Sequence, residues 1–205
     1  MPLFRAATSR LSLPARPVFR RPGSIEWYAG AAAPPGSNVR QGATAMAAAY
    51  TIRPYRHRQD TAAILRLIRR ELVPLSHTPI GREALTDRAL TARIRQGRTL
   101  VADGQDGEVK GFVHFMVTSR PNVPALLQID MLAVEPDSRG QGIGSALLRE
   151  AELYGRSRRC TAASLFVDEG NDRAHLFYLR AGYRAIQYWP SLRCRELYKP
   201  LFPDI

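Results

Sequence analysis

Three glycines at alternate positions, Gly140, Gly142 and Gly144, stand in the run Ser138-Arg139-Gly140-Gln141-Gly142-Ile143-Gly144-Ser145, between an apolar strand pattern and a helical one. Glycine removes the Cβ where a backbone must turn sharply or where a ligand presses against it. The amides of Gly140 to Ser145 would lie at a helix N-terminus, before intrahelical hydrogen bonds begin. Such a turn is an anion cradle, reinforced by the helix dipole and here by Arg139. Tight strand–helix packing is the purely structural alternative. A P-loop is excluded because no Lys follows the glycines. A dinucleotide fold would place its glycines after the first strand, with an acid about twenty residues further on. Here the turn follows the fourth predicted strand, and the residue at that distance from Gly140 is Cys160.

Other chemistry-bearing residue types are sparse. His57, His77, His114 and His175 show no metal-ligand spacing, so no metal is expected, and His114 reads as a solvent-facing strand residue. Cys160 and Cys194 read as two free thiols of a reducing compartment, with a redox pair as the alternative. On the most apolar predicted strand, Leu126 to Val134, two-residue alternation puts Gln128, Asp130 and Leu132 on one face. Asp130 is then an acid in apolar surroundings, either a proton acceptor or a paired structural carboxylate.

The elements that must position these residues follow from periodicity. Tyr50 to Arg56 alternates as a strand. Asp60 can cap a helix whose apolar positions Ile64, Leu67, Ile68 and Leu72 recur at helical spacing. A second helix is expected from about Glu83 to Gln96. Strands at Thr99–Ala102 and Gly111–Thr118 form a hairpin about the turn at 103–107. Leu126–Val134 follows, then a helix over Ile143–Ser157, closed by the cations of Arg156-Ser157-Arg158-Arg159. A strand at Ala163–Val167, a helix capped by Asn171 or Asp172 and ending at Gly182, and strands near Tyr183–Trp189 and Cys194–Lys199 complete the order. This is a single α/β domain with a mixed sheet.

Composition bounds the classes. The 205 residues are 45% hydrophobic and 23% charged, enough for one substantial core. The longest apolar stretches break within about eight residues, too short for a membrane-spanning helix. Thirty basic and 18 acidic residues give a net charge of +12, which suits phosphate-bearing partners without choosing between nucleic acid and a phosphorylated cofactor. Residues 1–45 hold six Arg, one acid and six Pro without apolar periodicity. They read as a disordered tail or a mis-assigned start, Met46 standing just before the patterned region, with an organellar targeting peptide as the alternative. Residues 46–205 form the domain, expected to be cytoplasmic.

Two stretches together resemble the GCN5-related N-acetyltransferases. Leu132-Ala133-Val134-Glu135-Pro136-Asp137-Ser138-Arg139-Gly140-Gln141-Gly142-Ile143-Gly144 is similar to the family's acetyl-CoA motif, Arg/Gln-x-x-Gly-x-Gly/Ala. Asn171-Asp172-Arg173-Ala174-His175-Leu176-Phe177-Tyr178-Leu179-Arg180-Ala181-Gly182-Tyr183 resembles its Asn-x-x-Ala-x-x-Phe-Tyr-x-x-x-Gly-Phe segment. The resemblance covers about residues 50–201. It implies a mostly antiparallel mixed sheet of about seven strands flanked by about four helices. It also implies acetyl-CoA as co-substrate, with acetyl transfer to a primary amine by direct attack in a ternary complex.

The resemblance further implies that Leu132, Ala133, Val134, Arg139, Gly140, Gln141, Gly142, Ile143, Gly144, Ser145, Asn171 and Tyr178 contact the cofactor. A bulge near Leu132–Val134 would free backbone amides for the thioester carbonyl and the pantetheine arm. Tyr178 matches the family's proton donor to the leaving thiolate; a core aromatic is its alternative. Some members carry a Glu aligned with Gln128 and others one aligned with Asp130, and another branch has one at Phe166. Since Gln128 accepts no proton, Asp130 is the candidate base, acting through a water. The loop around Tyr188-Trp189-Pro190-Ser191 and the segment Glu71–Ile80 would shape acceptor choice. A homodimer is possible, and no membrane or nucleic-acid partner is expected. A non-catalytic acetyl-CoA-binding regulator and a basic nucleic-acid-binding protein are the alternatives.

Overall fold

The computed structural model describes residues 50–77, 85–120 and 123–202. The expected tail, the start at Met46 and the first residues of the expected second helix lie outside them. Seven strands form one sheet: β1 (Tyr50–Pro54), β2 (Arg98–Gly104), β3 (Val109–Arg120), β4 (Val123–Val134), β5 (Ala162–Asp168), β6 (Arg184–Trp189) and β7 (Cys194–Pro200). Their order is β1-β2-β3-β4-β5-β7-β6. Every neighbouring pair is antiparallel except β4–β5. Four α-helices accompany the sheet: α1 (His57–Leu67), α2 (Asp87–Gln96), α3 (Ile143–Ser157) and α4 (Asp172–Arg180). The expected seven strands and four helices are thus present.

Each face of the sheet has its own core. Val113, Phe115, Leu127, Ile129, Leu165 and Leu197 pack on one face against Leu147, Leu148 and Ala151 of α3 and Tyr178 of α4. Val101, Phe112 and Ala133 pack on the other against Ile64 and Leu67 of α1, Ile68 just after it, and Leu90 and Ile94 of α2. A strand covered on both faces reads as a continuous apolar run, as β3 and β4 do.

Local chemistry departs from simple capping at α1. The helix starts at His57, and Asp60 sits inside its first turn. The Asp60 carboxylate accepts from the Arg56 amide at 2.6 Å and from the Arg53 guanidinium at 2.8 and 2.9 Å. Burial works to raise its pKa, but Arg53 and the Arg56 amide hold it below the usual carboxylate range. At the other end, α1 widens into a π-helical turn over Ile68–Leu72 and then a 3₁₀ turn over Val73–Leu75. Periodicity alone did not signal that turn, because Ile68 and Leu72 continue the helical spacing. Thr86 caps α2, its hydroxyl accepting from the Ala89 amide at 3.3 Å. Cys160 and Cys194 are both buried and unbridged.

Two features of β4 matter most. It pairs with β5 only through Leu126, Leu127 and Gln128, opposite Ala162, Ala163 and Ser164. Beyond those three pairs the strands part. On its other edge the register to β3 slips between His114–Met131 and Phe115–Ile129, so Asp130 is an extra, bulged residue. The bulge therefore lies ahead of the expected position near Leu132–Val134. It also breaks the alternation: Leu132 joins the α3-side core, while Met131 and Ala133 turn to the α1 and α2 side. Gln128, Asp130 and Leu132 do not share one face.

Gly97 joins α2 to β2 where backbone passes close by. A Cβ there would meet the Phe115 carbonyl oxygen at 2.5 Å and the His114 ring at 2.8 Å. Gly97→Ala should lower unfolding free energy by about 1–3 kcal/mol, the usual range for overpacking, as read from urea melts.

Candidate active site

The parting of β4 from β5 opens a cavity of about 1020 Å³, walled by Leu132, Ala133 and Val134, the glycine turn, Asn171, and Arg173, Ala174, Phe177 and Tyr178 of α4. Glu71, Leu72 and Leu75 of the widened end of α1 close it from the opposite side. The π turn thus has a positional result, bringing a carboxylate and apolar groups to the rim. His77 reaches across as well: its amide donates to Asp168 at 3.3 Å, and its Nε2 lies 2.6 Å from the Glu169 carbonyl.

The glycine turn has the conformation its sequence foretold. Gly140 and Gly142 both adopt φ +79°, a left-handed backbone that a Cβ would strain. Nothing stands within 4 Å of a Cβ placed on Gly140. No side chain caps α3, and among the described residues no hydrogen bond engages the amides of Ile143, Gly144 or Ser145. Those donors, with the dipole of a fifteen-residue helix behind them, open onto the cavity. Unpaired donors in a lined cavity fit an anionic ligand such as a diphosphate.

Arg139 also lines the cavity, but its guanidinium is already engaged. It donates to the Val134 carbonyl at 3.2 Å and pairs with Glu71. Burial pushes the Glu71 pKa up, yet Arg70 and Arg139 together hold it below the usual range. Glu71 was named in the sequence only as part of a loop; its pairing with Arg139, 68 positions away, carries no local signal.

Tyr178 is 8% exposed and stacks edge-on with Phe177 and Tyr183, at centroid distances of 5.0 and 5.6 Å. It is therefore a core aromatic. Yet it lines the cavity, and its hydroxyl has no hydrogen-bond partner among the described residues and is not sealed from solvent, unlike that of Tyr183. Burial raises the Tyr178 phenol pKa well above its ordinary value. Asn171 lines the same cavity while capping α4, accepting from the Ala174 amide at 3.2 Å.

The structure thus brings Leu132, Ala133, Val134, Arg139, Gly140, Gly142, Ile143, Gly144, Ser145, Asn171 and Tyr178 to one cavity. Gln141 does not line it; its side chain reaches toward the Asp137 carbonyl at 3.5 Å. Asp130 does not line it either. Both of its oxygens accept from Arg93 on α2, at 2.9 and 2.6 Å. His114, expected to face solvent, is fully buried beside that pair: Nδ1 lies 2.9 Å from Thr99 Oγ1 and Nε2 3.8 Å from Asp130. Burial lowers the His114 pKa, so its ring is neutral at pH 7. Among the described residues, no group of three or more His, Cys, Asp or Glu could hold a metal ion.

The sequence profile of the Acetyltransferase (GNAT) family matches residues 46–183, so the chain belongs to that family. A mycothiol acetyltransferase of Salinispora arenicola is 35% identical over 85 residues, which cover 41% of this chain and 28% of that protein. The chain therefore spans little more than a quarter of that relative. An aminoglycoside N(6')-acetyltransferase type 1 of Klebsiella aerogenes is 30% identical over 112 residues, covering 52% of this chain and 69% of that one. Among solved structures, Ard1 from Thermoplasma volcanium aligns over 76% of this chain and 99% of its own, with TM-score 0.60 and 22% identity. That likeness shows the fold.

Tyr178 and Tyr183 both have phenol pKa values raised by burial, Tyr183 additionally by the charge of Glu152. In the unfolded chain these phenols ionise near pH 10, whereas the folded protein keeps them protonated. Stability should therefore be insensitive to this pair below about pH 9 and fall as pH rises past about 10. Denaturant melts across pH 7 to 11 check this, and Tyr183→Phe should flatten the alkaline decline.

Proposed function

We propose that the protein is an acetyl-CoA-dependent N-acetyltransferase that moves an acetyl group onto a primary amine by direct attack in a ternary complex. The observation that carries this reading is one cavity holding both the unpaired amides at the start of α3 and the accessible hydroxyl of Tyr178. The amides of Ile143, Gly144 and Ser145 would grip the diphosphate, with Arg139 adding charge once released from Glu71. The backbone of Leu132 to Val134, free of β5 on one edge, would receive the pantetheine amides and polarise the thioester carbonyl. Donors aimed at developing charge contribute a few kcal/mol to such a step. Asn171 would hold the cofactor arm from the helix it caps.

In the reaction the amine nitrogen bonds the acetyl carbon, the carbon–sulfur bond breaks, the thiolate takes a proton from Tyr178, and the proton that the nitrogen sheds on becoming an amide restores the Tyr178 hydroxyl by way of water. Its raised pKa keeps the phenol protonated at neutral pH, and the transfer to the less basic thiolate is drawn on by the return of the amine's proton. Asp130, bound on both oxygens by Arg93, is a positioning residue: it fixes the bulge that turns Leu132 toward the cavity. An aminoglycoside acetyltransferase among the relatives makes aminoglycosides natural members of any acceptor panel.

Calorimetry should show acetyl-CoA binding to the folded protein, and an amine panel should release free CoA thiol. Absence of binding heat would refute the reading. Tyr178→Phe should keep acetyl-CoA affinity while kcat falls at least about tenfold near neutral pH, or about 1.4 kcal/mol in barrier. Asp130→Asn should lower the melting temperature and leave the shape of the pH–rate profile unaltered. A profile that loses its acid limb in Asp130→Asn would instead make Asp130 the base.

A further inference from the structure

On the sheet face away from α3 and α4, side chains from five strands meet around one carboxylate. Glu196 on β7 is 3% exposed. Ser164 Oγ on β5 donates to Glu196 Oε1 at 2.9 Å, and Arg120 on β3 pairs with the same oxygen. Trp189 Nε1 on β6 donates to Oε2 at 3.3 Å. Arg120 also donates to Gln128 Oε1 on β4 at 3.2 Å, and Gln128 donates to the Ser164 carbonyl at 3.1 Å. Cys194 and Tyr198 flank Glu196 on the same face of β7, and Asp168 stands opposite Cys194; burial and then the charges of Asp168 and Glu196 push the Cys194 thiol pKa up.

The location is informative. Gln128 and Ser164 are the last pair joining β4 to β5, so Glu196 stands one hydrogen bond from the apex of the gap that forms the cavity. Neither of the strand positions flanking it offers a proton acceptor, since its register partners are Phe166 on β5, which is apolar, and Gln187 on β6, which is an amide. Asp130 is ion-paired as Glu196 is, but its partner Arg93 belongs to α2, which covers that part of the sheet. The core formed with α1 and α2 extends only to β4, leaving this part of the sheet without helical cover among the described residues. Phe166 and Trp189 beside Glu196 are 44% and 40% exposed, two aromatic surfaces flanking a buried negative charge. That arrangement suits an alkylammonium, whose charge is favoured by carboxylate and ring faces alike.

Building on the acetyltransferase reading, we infer that Glu196 is the catalytic residue of the acceptor side. It receives the ammonium of a primary alkylamine lying against Phe166 and Trp189 and takes the proton that blocks nucleophilic attack. The freed nitrogen then forms the N–C bond as the C–S bond breaks. The thiolate is protonated by Tyr178, the second proton shed by the nitrogen as it becomes an amide restores the Tyr178 hydroxyl by way of water, and Glu196 returns its proton to solvent, so each turnover releases one proton overall. Arg120 is its counter-charge between turnovers, which keeps a buried carboxylate from standing alone.

The test compares wild type with Glu196→Gln and Glu196→Asp, using glucosamine, kanamycin, spermidine and a short peptide with a free N-terminus as acceptors. Glu196→Gln should bind acetyl-CoA like wild type but lose at least about tenfold in kcat/KM at pH 7. The deficit should shrink below about threefold as pH approaches the amine's own pKa, where the amine arrives already deprotonated. Glu196→Asp should recover part of the neutral-pH rate, and it keeps the test decisive if the Gln variant does not fold. A deficit equal at every pH, or no deficit, overturns the assignment. No transfer to any of the four amines by wild type that binds acetyl-CoA also overturns it while leaving the cofactor site standing; no acetyl-CoA binding removes both.

Discussion

Three residue pairs hold β4 to β5, and then the two parallel strands separate. Every other functional feature depends on that short contact. A fully paired strand would spend its amides on its neighbour, whereas β4 beyond Gln128 has one edge without a partner strand. The same divergence leaves room beneath α4 for a cavity of about 1020 Å³, with the N-terminus of α3 at one end. Backbone donors need no side-chain ordering to act, so the protein presents an anion site that is organised before any ligand arrives.

Charge placement follows from the same geometry. The protein carries 30 basic residues; of those that line the cavity, Arg139 is answered by Glu71, Arg149 by Glu150 and Lys199 by Glu152, whereas Arg173 and Arg180 have no acid partner among the described residues. The backbone polarity at the turn before α3 is unanswered as well. The rim pair Arg139–Glu71 sets the charge a diphosphate would meet, since an incoming anion competes with Glu71 for the guanidinium. A second paired charge, Glu196–Arg120, stands at the opposite side of the strand gap.

Much of this was legible in the chain itself. The α3 boundaries were read correctly from apolar spacing after a glycine turn; α4 was read with Asn171 or Asp172 as its cap and its end at Gly182, and the structure makes Asn171 the cap and ends the helix at Arg180. The turn's left-handed glycines and the cavity position of Tyr178 follow from the same two motifs. The errors have a common cause. Asp130 was placed with Gln128 and Leu132 by strict alternation, and one bulged residue undoes that parity. His114 was read as facing solvent, but α2 and Gly97 cover it. A bulge or a covering helix leaves no period in the strand concerned.

Local sequence determined the elements, their order and the backbone chemistry of the glycine turn, because propensity, capping and φ restrictions act over a few neighbouring residues. Only the tertiary structure decided which side chains meet. Arg93 and Asp130 are 37 positions apart, Arg120 and Glu196 76 positions apart, and His77 and Glu169 92 positions apart. Those encounters are set by sheet order, strand divergence and one slipped register, which arise from packing of the whole chain and have no expression in any single segment.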